Sequence, residues 1–146
     1  MARTNPKIYN SVEYSFFKHF IMVYSVSLII VALIYAALLM MSYSIILLLV
    51  AIINCLVFLC LDLYHISKFI ILLTCYNDII CEEVISADMI VAHPYSNYTG
   101  VCVFVDGKSY RSDKAIKLEE FSSLVKNDKI KVGINLKNQR CIVFYD

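Results

Sequence analysis

From Phe20 to Leu61 the chain carries no Asp, Glu, Lys, Arg or His, an apolar run of 42 residues bracketed by Lys18-His19 and Asp62. As one helix it would extend about 63 Å at 1.5 Å per residue, roughly twice the hydrocarbon thickness of a bilayer. The run must therefore fold back, and Ser42-Tyr43-Ser44 is the polar interruption near its centre. The pattern predicts a helical hairpin with spans over Phe20 to Met41 and Ile45 to Leu63. A cleaved signal peptide is the competing reading of the first span. Its apolar stretch is too long, it lacks a small-residue cleavage site, and the apolar run continues beyond it.

The next segment, Leu63 to Cys81, is apolar but broken by His65, Lys68, Asn77 and Asp78. Leu63, Ile66, Ile70, Leu73 and Ile80 approximate helical spacing, which predicts an extension of the second helix or an interfacial helix. A strand over Phe69 to Leu73 is the alternative. From Glu82 onward the punctuation changes to that of a small β domain. "VISADMIVA" reads as a strand ending at His93-Pro94, and "VCVFVDGKSYRS" as a hairpin, because Asp106-Gly107 suits the positive φ of a type I′ turn. "KLEEFSSLV" offers a short helix, "KIKVGI" an alternating strand, "NLKNQ" a turn and "RCIVFY" a last strand. The expected fold is a membrane α-helical hairpin plus a small mainly-β soluble domain, a five-strand barrel or sandwich-like. Its parts are an N-terminal flank over 1–19, the hairpin over 20–64, an interfacial helix or linker over 65–81 and the β domain over 82–146.

Charge refines this picture. The full chain has a net charge of +1, and Glu82 to Asp146 holds nine basic and nine acidic residues. That balance argues against a nucleic-acid footprint, which needs a basic face or stripe. Arg3, Lys7 and Lys18 flank the first span and Lys68 follows the second, whereas the tight turn has no basic residue. Cytoplasmic flanks retain Lys and Arg, so both termini are expected in the cytoplasm, with the turn reaching the opposite face. Within the spans, Ala32 and Ala36 are four apart and suit close helix packing. Asn54, a strongly polar amide in the hydrocarbon, needs an internal partner, and Ser25 and Ser27 can bond across the hairpin. A conduction path is the functional reading of these polar groups, and helix-to-helix glue the simpler one.

The order of two adjacent spans, a short link and a domain with "VDGKSY" followed by "LVKNDKIKVGINLKN" resembles uncharacterised bacterial membrane proteins that carry a small β-barrel after a helical hairpin. Asn127-Asp128 stands where that pattern has Gly-Asp. The resemblance implies a bacterial inner-membrane protein with a tethered interaction or scaffold domain, and it transfers no catalytic residues.

The search for chemistry nominates none. The six cysteines form no Cys-x-x-Cys pair, and His19, His65 and His93 are scattered, so no metal site is expected. Cys102 and Cys141 fall in expected strands and would pair only if the domain faced an oxidising space. "NYT" at Asn97 is a formal glycosylation sequon, meaningful only in a secretory lumen. No phosphate-binding, serine-hydrolase or zinc-protease motif occurs, and no cofactor or small-molecule substrate is implied. The expected function is a non-enzymatic, membrane-anchored binding or scaffold protein that meets lipid and a protein partner or a second copy. Tyr95 and Tyr98, in the aromatic loop, and a strand edge are the nominated partner surfaces. A toxin-immunity membrane protein and an oligomeric, viroporin-like ion channel are the alternatives.

Overall fold

A 30-residue helix and a 33-residue helix, separated by three residues, carry the apolar half of the chain. The computed structural model describes residues 7–42, 44–77, 81–90, 96–125 and 129–145, with the side chains of 77 and 81–90 excepted. The long helices are α1 (Val12–Met41) and α2 (Ile45–Asn77), so α1 ends and α2 begins at the residues where the hydropathy pattern breaks. Tyr43, at the reversal, lies outside the described residues. Both helices are long and apolar enough to cross a membrane.

The chain divides into two compact units, one formed by Phe17–Phe69 and the other by the N-terminal segment together with Ile70–Asp146. Within the first, α1 and α2 run as a hairpin. The helices face each other along Tyr24, Leu28, Val31, Tyr35 and Leu39 on α1, and Leu48, Ala51, Cys55, Phe58 and Asp62 on α2, all buried or half-buried. These positions recur every three or four residues, as a packed helical seam requires. The opposite faces are bare hydrocarbon: Leu33 is 65% exposed and Ile46 is 75% exposed. Apolar surface of this extent is unfavourable in water and favourable against lipid tails.

The second unit is a mixed sheet with a short helix. Its strands are β1 (Cys81–Ile90), β2 (Tyr98–Val105), β3 (Lys108–Arg111), β4 (Ile116–Lys117), β5 (Lys129–Asn135) and β6 (Arg140–Val143), with α3 (Leu118–Leu124) after β4. The order is β1-β5-β6-β3-β2-β4. Strand β1 pairs with β5 over its first part and with β2 over its second. Asp106 (φ 50°) and Gly107 (φ 76°) form the β2–β3 turn, where both positions need the left-handed region. The barrel form of the expected five-strand barrel or sandwich-like domain requires correction. Strands β3 and β6 meet through the single parallel pair Arg111↔Arg140, so the wall is open along that seam.

The core of this unit holds Val101, Val103, Tyr110, Ile116, Ile130, Val132, Ile134, Cys141 and Val143, and it also holds Val12. The N-terminal segment is thus built into the sheet. Ser11 bridges to Phe144, the Tyr145 amide donates to the Asn10 carbonyl at 3.0 Å, and Ser11 Oγ caps α1 by accepting from the Tyr14 amide at 3.1 Å. The last turns of α2 are held as well: buried Asn135 donates through Nδ2 to the Cys75 carbonyl at 2.9 Å, and Leu72 and Cys75 are buried. The strand alternative for Phe69 to Leu73 gives way to continuous helix, because a strand there would break the i to i−4 ladder that the helical spacing supports.

The two cysteines considered for a disulfide are free thiols. Val101 and Val103 face the core, so Cys102 between them faces out, whereas Cys141 is a core residue. Strand β3 also lies between their strands, which separates the backbones by about 10 Å, beyond the roughly 7 Å a disulfide spans.

Candidate functional site

Three groups of polar side chains stand out, one in the hairpin and two on the β unit. In the hairpin the polar residues pair across the two helices. Asn54 Nδ2 donates to Tyr35 Oη at 2.7 Å, and Ser25 Oγ donates to Asp62 Oδ2 at 2.9 Å. Asp62 is only 8% exposed, and its Oδ1 has no hydrogen-bond partner among the described residues. One turn further on, the His65 ring stacks on Phe20 at 5.2 Å and on Tyr24 at 5.3 Å. A buried carboxylate with one free oxygen is costly in an apolar setting unless something else satisfies it, which makes Asp62 the most demanding group in the hairpin.

Ala32 and Ala36 lie on the exposed side of this seam. With Leu28, Tyr35, Ala51 and Cys55 among others, they line an apolar groove of about 410 Å³. Ser27 is half-buried.

On the β unit, Tyr98 opens β2 and its ring meets Phe16 edge-to-face at 4.9 Å. It lines a cleft of about 440 Å³ with Asn97, Lys117, Leu118 and Glu119. The Leu118 amide donates to the Asn97 carbonyl at 3.0 Å, which ties the cleft's two walls, and Lys117 approaches Glu119 and Glu120 at 3.9 Å each. Tyr95 lies outside the described residues. The nominated strand edge is poor: β4 at the sheet's end has two residues, too short to template an added strand. The third group is a polar cleft of about 460 Å³ at the β3–β6 seam, lined by Ser109, Arg111, Ser112, Asp113, Asn138, Gln139 and Arg140.

Burial also perturbs two ionisable groups of the β unit, Glu13 and Cys141, of which the sequence singled out only Cys141. Glu13 is 1% exposed, belongs to the β unit and precedes the charge-free span, and burial pushes its carboxyl up to about 8. Burial likewise pushes the Cys141 thiol up. Glu13 was legible only as a lone acid ahead of the apolar run. Asp62 carried a better signal, an acid closing that run with a histidine three residues on.

Among the described residues no group of three or more His, Cys, Asp or Glu side chains is placed to hold a metal ion. No protein-family model, curated protein or solved structure matches the chain.

Proposed function

We propose that this chain is a membrane-anchored, non-enzymatic binding or scaffold protein: the hairpin crosses the bilayer and the β unit engages a protein partner within a larger membrane assembly. The observation that supports this most strongly is that both ends of the hairpin are built into the β unit, through Val12 in its core and through the Asn135 to Cys75 bond. A binding unit that includes the first turn of α1 and the last turns of α2 is joined to the apolar helices by two chain connections instead of one, which limits the entropy lost when it docks. The Tyr98 cleft, with the exposed apolar Leu118 beside charged Lys117 and Glu119, is the partner surface. It combines an aromatic anchor with a polar rim, the make-up of a protein interface. The basic flanks support a cytoplasmic location for both termini and the β unit, and the resemblance to bacterial hairpin proteins is the reason for reading the membrane as an inner one.

The test is a photo-crosslinking amino acid at Lys117 in membranes of intact cells, with mass spectrometry of the adducts. A discrete protein adduct, lost when Tyr98→Ala is added, is the expected result. Adducts only to lipid would remove the scaffold reading.

A second reading, an oligomeric channel, draws on Asp62 Oδ1, since a second hairpin or a permeating cation could satisfy that oxygen. Ion flux through reconstituted liposomes that Asp62→Asn abolishes would favour it, and absence of flux would remove it.

A further inference from the structure

Strands β3 and β6 meet at a single parallel pair, Arg111↔Arg140. Their neighbours Tyr110 and Cys141 belong to the core, so strand alternation sends both arginines to the outer face, side by side at the open seam. Like charges directly opposite one another are destabilising. One carboxylate is at hand: Asp113 Oδ2 lies 3.6 Å from an Arg140 guanidinium nitrogen, with both side chains partly exposed. Arg111 has no carboxylate partner among the described residues, so the pair keeps an uncompensated positive charge. The cleft of about 460 Å³ around them adds neutral hydrogen-bonding groups, the Ser109 hydroxyl and the Asn138 and Gln139 amides. Gln139 holds φ at 52°, a left-handed conformation uncommon for a residue other than glycine, and its carbonyl accepts the Arg111 amide at 3.2 Å. That bond fixes the β5–β6 turn against the first arginine, and strained backbone of this kind gathers at binding sites.

We infer that the outer face of the β3–β6 seam is an anion site in which Arg111 and Arg140 clamp a phosphate group. Two planar guanidinium forks side by side match the several oxygens of a phosphate and supply bidentate charge-assisted bonds that a lysine, a point charge, does not. A phosphate compound free in solution and the headgroup of an anionic lipid present the same chemistry. The site stands independently of the Tyr98 cleft and of the scaffold reading.

The experiment uses the full chain in a sugar-based, phosphorus-free detergent and follows the ³¹P resonance of inorganic phosphate, then that of short-chain phosphatidic acid in the micelle. Saturable broadening of either resonance is the expected result. Broadening of inorganic phosphate identifies a free phosphate source, and broadening of phosphatidic acid alone identifies a lipid headgroup. Arg111→Gln weakens binding about tenfold or more, as loss of a charged hydrogen-bond donor implies. Arg111→Lys, which keeps charge but not the fork, weakens it less, and near-UV circular dichroism of the tyrosines checks that both variants fold. Absence of broadening with both probes, or binding unchanged in both variants, overturns the inference.

Discussion

Both carboxylate oxygens of Glu13 lie against the amide of Val143, at 3.1 and 3.0 Å, so that the first turn of α1 is bonded to the last strand of the sheet. The carboxyl is buried, and desolvation outweighs the backbone hydrogen bonds that favour the anion, raising it from 4.5 to about 8. The folded protein therefore binds a proton here that the unfolded chain has released between those values. The resulting stability is fully present below pH 4.5, is lost as pH rises toward 8, and levels off above it. Urea unfolding of the β unit in detergent, followed by tyrosine fluorescence, should show this decline, worth a few kcal/mol at about 1.4 kcal/mol per unit. Glu13→Gln mimics the protonated carboxyl and should remove Glu13's share of the decline. An unchanged pH profile in that variant would show that Glu13 titrates alike in the folded and unfolded chain.

Asn135 serves three bonds from a fully buried position. Its Nδ2 holds the Cys75 carbonyl, and its Oδ1 accepts the amides of Lys137 at 2.9 Å and Asn138 at 3.2 Å. Asn135→Ala leaves the buried Cys75 carbonyl and the two turn amides without their partner and should cost about 1–3 kcal/mol. Hydrogen exchange should accelerate at Lys137 and Asn138 first. Asn135→Asp should rescue the turn amides but not the bond to α2.

The elements that read most clearly from the sequence are those set by local rules. The 42-residue charge-free run needed a reversal, and the Ser42-Tyr43-Ser44 break placed it. Asp106-Gly107 encoded its own turn, and the alternation in "KIKVGI" gave the inward face of β5. Long-range relations were not legible. Nothing local tells Val12 that its partners lie some ninety residues or more away in the sheet, or that Asn135 will hold α2. The partners of Asn54 and Ser25 likewise depend on the helices' mutual register, which apolar composition alone leaves undetermined. The Arg111↔Arg140 pair needed the parallel crossover of β6 against β3, a matter of topology and not of pattern.

Cys102 and Cys141 should differ in reactivity although both are free thiols. Cys102 is half-buried on the outer side of β2, whereas Cys141 is 3% exposed and burial pushes its thiol up, depleting the reactive thiolate. With each retained singly, maleimide should modify Cys102 in the folded protein and Cys141 only with unfolding. Equal rates for the two would contradict the alternation of β2 and β6. No oxidant should join them without disrupting the sheet.

The Tyr35–Asn54 bond ties the turn-proximal half of the hairpin at 2.7 Å. Tyr35→Phe strands the Asn54 amide in apolar surroundings and should cost about 1–2 kcal/mol. Combining Tyr35→Phe with Asn54→Leu removes donor and acceptor together and should recover most of that loss. A double-mutant cycle on hairpin opening in detergent measures the coupling, and purely additive losses would mean that the bond contributes nothing there.

The Ser25–Asp62 pair should behave differently, because its acceptor keeps a second unsatisfied oxygen. Ser25→Ala withdraws the donor and leaves the buried Asp62 carboxyl group without its present partner, a loss of about 1–3 kcal/mol. Asp62→Leu removes the carboxylate itself and leaves only a serine hydroxyl, which a helix can satisfy by bonding its own carbonyl four residues back. The single serine change should therefore destabilise the hairpin more than the aspartate change, and Ser25→Ala with Asp62→Leu should approach the wild type. The same detergent unfolding assay reads all three. The reverse order, with Asp62→Leu the most damaging, would mean that Asp62 is held by more than Ser25 and that its second oxygen meets a partner in the assembled protein, as the channel reading requires.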